Sequence, residues 1–249
     1  MKRQRLNWQE KVRKNVRKIM DFEHVKAVFE EYLNGYDREN DKGKLKIVHT
    51  YGVIRCSEEI GRFEQLKRFN SFEADTMDHA TYGVQVLFEE GMIRQFIEED
   101  TWDDVIRTAI AKHSDYELTG ITDERTLLHA RLIRDADKLD NCRVKLEDAM
   151  ETLLDLSADE VGKYAISPKV REDAFAGKCI CSKDRRTPMD YWVSYVAYFY
   201  DLNFRETLDI VAEEQYVKRI IGRVPYTNEQ TKKTMEELER QLTEYVRRK

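Results

Sequence analysis

The sequence predicts an all-α protein, and three observations carry that prediction. Apolar residues recur at helical spacing along most of the 249 residues. Only 3 prolines and 10 glycines interrupt the chain, few enough for long helices. No segment alternates apolar and polar residues at period two over the length of a strand. Charged residues make up 37% of the chain, a composition suited to helices with solvated outer faces. No internal repeat, low-complexity tract or interdomain linker divides it. One all-α domain over residues 1–249 is therefore the simplest organisation for a chain of this length.

The elements follow in order. Residues 8–32 form an amphipathic helix with Val12, Val16, Ile19, Met20, Phe22 and Val25 on its buried side. Residues 34–44 are a polar turn. Residues 45–59 form a helix whose inner face carries Leu45, His49, Gly52 or Val53, and Cys56. Gly61 interrupts, and 61–75 reads as an irregular loop or short helix. Helices are then expected over 77–90, 93–98, 102–113 and 125–138, the last continuing to 156. Residues 157–163 resemble a helix cap, and a short helix starts near Pro168. The aromatic-rich stretch 191–201 reads as a buried helix, with its aromatic face assigned to the core. Helices over 205–224 and 228–248 complete the chain.

A net charge of −5 draws the molecule neither to nucleic acid nor to an anionic membrane. The first 18 residues are locally basic but lack the apolar core of a signal peptide, and they read as a solvated helix face. No apolar run approaches the roughly 18 residues that span a bilayer. Cys56, Cys142, Cys179 and Cys181 follow no disulfide or zinc spacing. Free thiols in a reducing cytoplasm are the expectation.

The residues that carry chemistry stand on apolar helix faces, where an ionisable group is costly unless something binds it. His113 lies three residues after Ile110 and four after Ala109, so it shares their inward face. His79 precedes Gly83 by one turn, and His49 continues the Leu45/Val53/Cys56 stripe. Taken singly, each is more often a core histidine bonded to a backbone carbonyl. Asp137 follows Ile133 by four and Ala136 by one, and a carboxylate in that position needs a cation or several donors. Three histidines and an aspartate on the inner stripes of separate helices are what a hydrolytic divalent-metal centre uses. Asp135 and Asp140 fall on other faces of the same helix and are expected to be solvated or capping. His24 sits in a polar context, and His129 is expected to be structural.

At these residues the chain resembles the HD-domain metal-dependent phosphohydrolases, in particular a bacterial branch with long C-terminal helices. The matching stretches are KIVHTYGV (46–53), the segment from IGRFEQ to FEEG (60–91), AIAKHSDYE (109–117) and LLHARLIRDADKLDNCRV (127–144). The similarity continues through SYVAYFYDLNF (194–204). It implies an HD-like helical core at about 44–156, a C-terminal helical extension at about 157–249, and one or two divalent ions (Mn, Fe, Co, Ni, Zn or Mg). On the family pattern His49, His79, His113 and Asp137 take metal-ligand places. The resemblance also implies that a metal-bound water, rather than a protein nucleophile, would attack the phosphate ester of a nucleotide or other small molecule. Arg62 and Lys138 flank the metal positions and are candidates to meet substrate phosphate, with surface ion pairing as the competing role.

The departure from the family is large: a dipeptide and a helix are missing. Its pattern includes a His-Asp doublet after the first histidine, and no His-Asp pair occurs in this sequence. Glu58-Glu59 stands in its place, immediately before the segment matching IGRFEQ. Relatives also carry a second helix between the first histidine and the doublet, whereas here the His49 helix runs straight into Gly61. In one helix, His49 and Glu59 are roughly 15 Å apart along the axis at 1.5 Å per residue, too far to share an ion. Without the doublet at most four protein ligands remain, and the bridge between two ions is lost. The alternative is therefore a catalytically degenerate HD-like module that binds a nucleotide or a protein.

Overall fold

The computed structural model describes residues 79–249, together with helical residues 26, 27 and 29–31. The remainder of the expected 8–32 helix, the 34–44 turn, the 45–59 helix and the 61–75 segment lie outside the described residues. Among the described residues every regular element is helical and there is no strand, so the all-α expectation holds. No helix among them is long and apolar enough to cross a membrane.

α1 (His79–Val84) runs on as a π-helical turn over Gln85–Glu89, and a 3₁₀ turn over Met92–Gln95 follows Gly91. α2 (Asp103–Lys112) starts with two acidic residues, Asp103 and Asp104, and ends in Lys112, the arrangement that complements a helix dipole. α3 (Glu124–Glu147) is the longest element, and the Asp123 carboxylate caps it by accepting Thr126 N–H and Oγ1 at 2.7 Å each. The expected continuation to residue 156 is broken. α3 stops at Glu147, and α4 (Met150–Leu154) ends where Asp155 turns left-handed. The Arg223 guanidinium accounts for the break by donating to the carbonyls of Lys145 and Asp148, groups the helix end leaves without partners of its own.

The short helices α5 (Ala158–Val161) and α6 (Pro168–Phe175) follow as the cap and proline signals predict. α7 (Pro188–Ala197) begins three residues before the expected start, because Thr187 and Asp190 form a capping box around a proline at the first turn. It tightens into a 3₁₀ turn over Tyr198–Asp201. The expected 205–224 helix is two: α8 (Arg205–Glu213) and α9 (Tyr216–Ile221), separated by Gln215 at φ 53°. α10 (Glu229–Arg248) closes the chain, with Asn228 accepting Thr231 N–H as its cap.

The main core packs Leu132, Ala136 and Leu139 of α3 against Trp192 and Val196 of α7, Leu208 of α8, Ile220 of α9 and Leu238 of α10. Trp192 and Phe199 are completely buried, and each such aromatic contributes about 2–3 kcal/mol through area removed from water. Tyr191 of the same stretch is 40% exposed, so the aromatic run is core on one side only. A smaller cluster of Ile93, Ile97, Ile106 and Ile110 joins α2 to the residues after α1, and a third sets Ala109 of α2 against Ala130 and Ile133 of α3.

Candidate functional site

α1 packs on α2 and α2 on α3. The helices carrying His79, His113 and Asp137 are thus successive neighbours. Ile106 and Ile110 of α2 face Val84, Leu87 and Phe88 on one side, while Ala109 meets α3 on the other. The small residues Ala109 and Ala130 permit that close approach. Arg125 of α3 lies 4.6 Å from the Trp102 ring centroid at the start of α2 and ties the pair together at its far end.

His113 sits at the C-cap of α2 and is buried. Its Nδ1 lies 2.8 Å from the carbonyl oxygen of Ile110. A carbonyl only accepts, so in the neutral ring Nδ1–H donates and the lone pair falls on Nε2. Ligating histidines make this bond, and so do core histidines bonded to a backbone carbonyl.

Asp137 is half-buried one turn beyond Ile133 and Arg134. The Asn141 amide donates to its main-chain carbonyl at 2.9 Å and to its Oδ1 at 3.3 Å. Asn141 in turn accepts from Lys145 at 2.6 Å, and the Lys145 ammonium lies 4.2 Å from the centroid of the Tyr195 ring. On the flank of Asp137, the Tyr198 hydroxyl donates to the Lys138 carbonyl at 3.1 Å. Burial holds the Tyr198 phenol well above the usual range, and the charges of Cys142 and Asp137 push the same way.

Lys138 is enclosed rather than solvated, with its side chain 11% exposed. Its ammonium donates to the Asp201 carboxylate and, at 3.3 Å, to the Asp201 carbonyl. Burial lowers its pKa, the Arg134 charge lowers it further, and Asp201 opposes both. To reach a substrate phosphate this ammonium must exchange an ion-pair partner it already has. His79 lies at the start of α1, but its side chain, like the whole of His49 and Arg62, lies outside the described residues. Among the described residues no three His, Cys, Asp or Glu side chains gather as metal ligands. The described part of the candidate set is therefore His113 and Asp137, on neighbouring helices.

Two expectations are corrected by burial. Asp135 and Asp140 are both fully buried, not solvated. Asp135 accepts Asn203 N–H, the Asn203 side-chain amide and Phe204 N–H at 2.8 to 3.0 Å. It does cap a helix, but the helix is α8 and not its own. Asp140 is gripped by Arg143 in a two-pronged pair at 2.8 and 2.9 Å. His129 is buried as well. None of the three described cysteines is in a disulfide.

Two residues that sequence reasoning passed over stand beside His113. Arg134 is nearly completely buried, and its Nη1 donates to the carbonyls of His113 at 2.8 Å and Asp115 at 2.5 Å. Its Nη2 donates to the Tyr116 carbonyl at 3.0 Å, and its Nε to Asp201 at 2.6 Å. The available signal was an arginine directly after Ile133 on an apolar helix face. Asp201, closing the aromatic run, gave no signal, because its two cationic partners lie more than sixty residues earlier.

No protein-family model, curated protein or solved structure matches the chain.

Proposed function

We propose that this chain is a cytoplasmic metal-dependent phosphohydrolase of the HD type, acting on a nucleotide or another small phosphate ester. The observation that supports this reading best is the Nδ1–H bond of buried His113 to the Ile110 carbonyl, on a helix packed directly against the one carrying Asp137. On this reading the two described candidates are ligands of a divalent ion. His113 presents its Nε2 lone pair, and the Asp137 carboxylate is steadied by an amide donor, as ligating carboxylates usually are. His79 and His49 complete the set on the family pattern. A divalent ion bound there supplies Lewis acidity toward a phosphoryl oxygen and lowers the pKa of water.

The chain's own residues have distinct parts in this reading. His113 and Asp137 hold the ion, and Asn141 fixes the carboxylate's orientation. Lys138 places a positive charge one residue from Asp137, shared with Asp201. Arg62, beside the missing doublet, is the candidate for direct phosphate contact. Phosphate release from a panel of nucleotides and phosphomonoesters with added Mn²⁺ tests the reading. Turnover abolished by Asp137→Ala supports it, and no turnover from a folded, metal-loaded sample refutes it.

A second reading has its own support in the sequence. With Glu58-Glu59 in place of the His-Asp doublet, the chain is a nucleotide- or protein-binding module without turnover. Nucleotide-dependent thermal stabilisation without phosphate release separates this reading from the first.

A further inference from the structure

We propose that Arg134, anchored by Asp201, is a positioning residue for His113: it fixes the turn that aims the imidazole toward the bound ion. The inference rests on the metal-site reading above and adds to it a residue that the family pattern does not assign.

Removing a guanidinium from water is unfavourable unless its donors are satisfied and its charge is balanced. Arg134 is 4% exposed, yet three of the four acceptors it reaches are neutral backbone carbonyls. Those carbonyls belong to His113, Asp115 and Tyr116, the turn that leaves the C-terminus of α2. Helix C-terminal carbonyls have no partners within their own helix, and they carry the negative end of its dipole. Arg134 therefore caps α2 from α3, and the cap falls on the residue whose ring is the candidate ligand.

Both the ring and the main chain of His113 are thus held. Its ring is fixed by the Ile110 carbonyl and its main chain by Arg134. The turn has a second tether, in which the Tyr116 hydroxyl donates to the Cys179 carbonyl at 3.0 Å. Arg134 is itself steered through its Nε by Asp201, which follows α7. A hydrogen-bonded path runs from the 3₁₀ turn after α7, through Asp201 and Arg134, to His113. Metal ligation demands such control, because an imidazole must lie about 2.0–2.1 Å from the ion and small displacements weaken binding. Lysine cannot substitute for this arginine, since one ammonium cannot span three carbonyls and a carboxylate in a fixed plane.

The test uses the full chain, Arg134→Met and Asp201→Asn, with Co²⁺ as the metal probe. The ¹⁵N shifts of the His113 ring in metal-free protein form an independent readout. Wild type should show one tautomer, protonated on Nδ1. In Arg134→Met the two ring-nitrogen signals should move toward averaged values, and Co²⁺ affinity should fall at least about tenfold, the lower end for losing an outer partner of a metal ligand. Asp201→Asn keeps the arginine but loosens its anchor, and should show a smaller change of the same kind. It also serves as the deciding variant if Arg134→Met does not fold. A cooperatively folded variant that keeps either the wild-type tautomer signals or the wild-type Co²⁺ affinity overturns the proposal. If wild type binds no Co²⁺, the metal reading fails by itself, and the tautomer comparison alone decides whether Arg134 positions His113.

Discussion

The carboxylate of Asp135, in the middle of α3, accepts the backbone N–H of Phe204 at 3.0 Å and so caps the start of α8. Asn203 adds its backbone N–H and side-chain amide to the same carboxylate. Burial raises the Asp135 pKa, and the bonds from Asn203 and Phe204 oppose it. If the cost of burying charge dominated, a neutral isostere would stabilise the fold. Asp135→Asn, however, turns an amide donor toward donors that only a carboxylate can satisfy. The expected result is a loss of about 1–3 kcal/mol, the usual cost of a buried donor left without an acceptor. Denaturant melts of the two proteins decide it, and an unchanged or higher midpoint for Asp135→Asn refutes the capping role.

Asp135 also marks where sequence reading stops. Helical periodicity located α2, α3, α6, α7 and α10 because each carries buried apolar residues at helical spacing. It failed for Asp135 and Asp140 because α3 is enclosed on more than one side. The groups that satisfy those carboxylates are the N–H groups of Asn203 and Phe204, far along the chain, and an arginine three residues away. Periodicity reports which face is apolar, not whether a polar face meets water or a partner. The break at Gln215 was hidden for another reason: glutamine is a good helix former, so its sequence gives no sign of the left-handed conformation it adopts there. Of the candidate residues, apolar spacing made the burial of His113 legible, while Asp137 is only half-buried. The pairing of Arg134 with Asp201 was not legible, because it spans 67 residues of sequence.

Gly162 lies under Pro225 with no room for a side chain. A Cβ on it would stand 2.2 Å from the Pro225 carbonyl oxygen, and its own carbonyl accepts Thr227 N–H at 3.1 Å. Gly162→Ala must push the turn after α9 away from α5. A loss of about 1–3 kcal/mol is expected, in the range for overpacking a tight site. Thermal denaturation checks it, and a midpoint equal to wild type shows that the turn yields freely.

Gln215 adopts φ 53° between α8 and α9, a conformation that costs an L-residue about 1 kcal/mol and glycine little. Gln215→Gly should therefore be neutral or stabilising by up to about 1 kcal/mol, whereas most glycine substitutions next to helices destabilise. Loss of stability in a chemical melt contradicts the assigned backbone.

Burial raises the pKa of Tyr195, Tyr198, Tyr200 and Tyr226, with Tyr200 pushed up to about 12. In the unfolded chain these phenols ionise near 10. Between the unfolded and folded values the native state therefore holds more protons, and stability falls as pH rises above about 10. Lys138, whose folded pKa is lowered, acts in the opposite direction below its ordinary value, but the raised phenols outnumber it. Tyrosinate absorbance should rise in two phases, the exposed phenols first and the buried ones together with loss of helical circular dichroism. Full tyrosine ionisation with helicity intact contradicts the packing around α7.

The central claim is that His113 and Asp137 help to hold a divalent ion, and the most direct measurement is the metal content of the purified chain beside His113→Ala and Asp137→Ala. About one or two equivalents in wild type, reduced sharply in both variants while their melts stay cooperative, is the expected result. A folded wild type that carries no metal and takes up none from excess Mn²⁺ or Co²⁺, or a content unchanged by both substitutions, contradicts it.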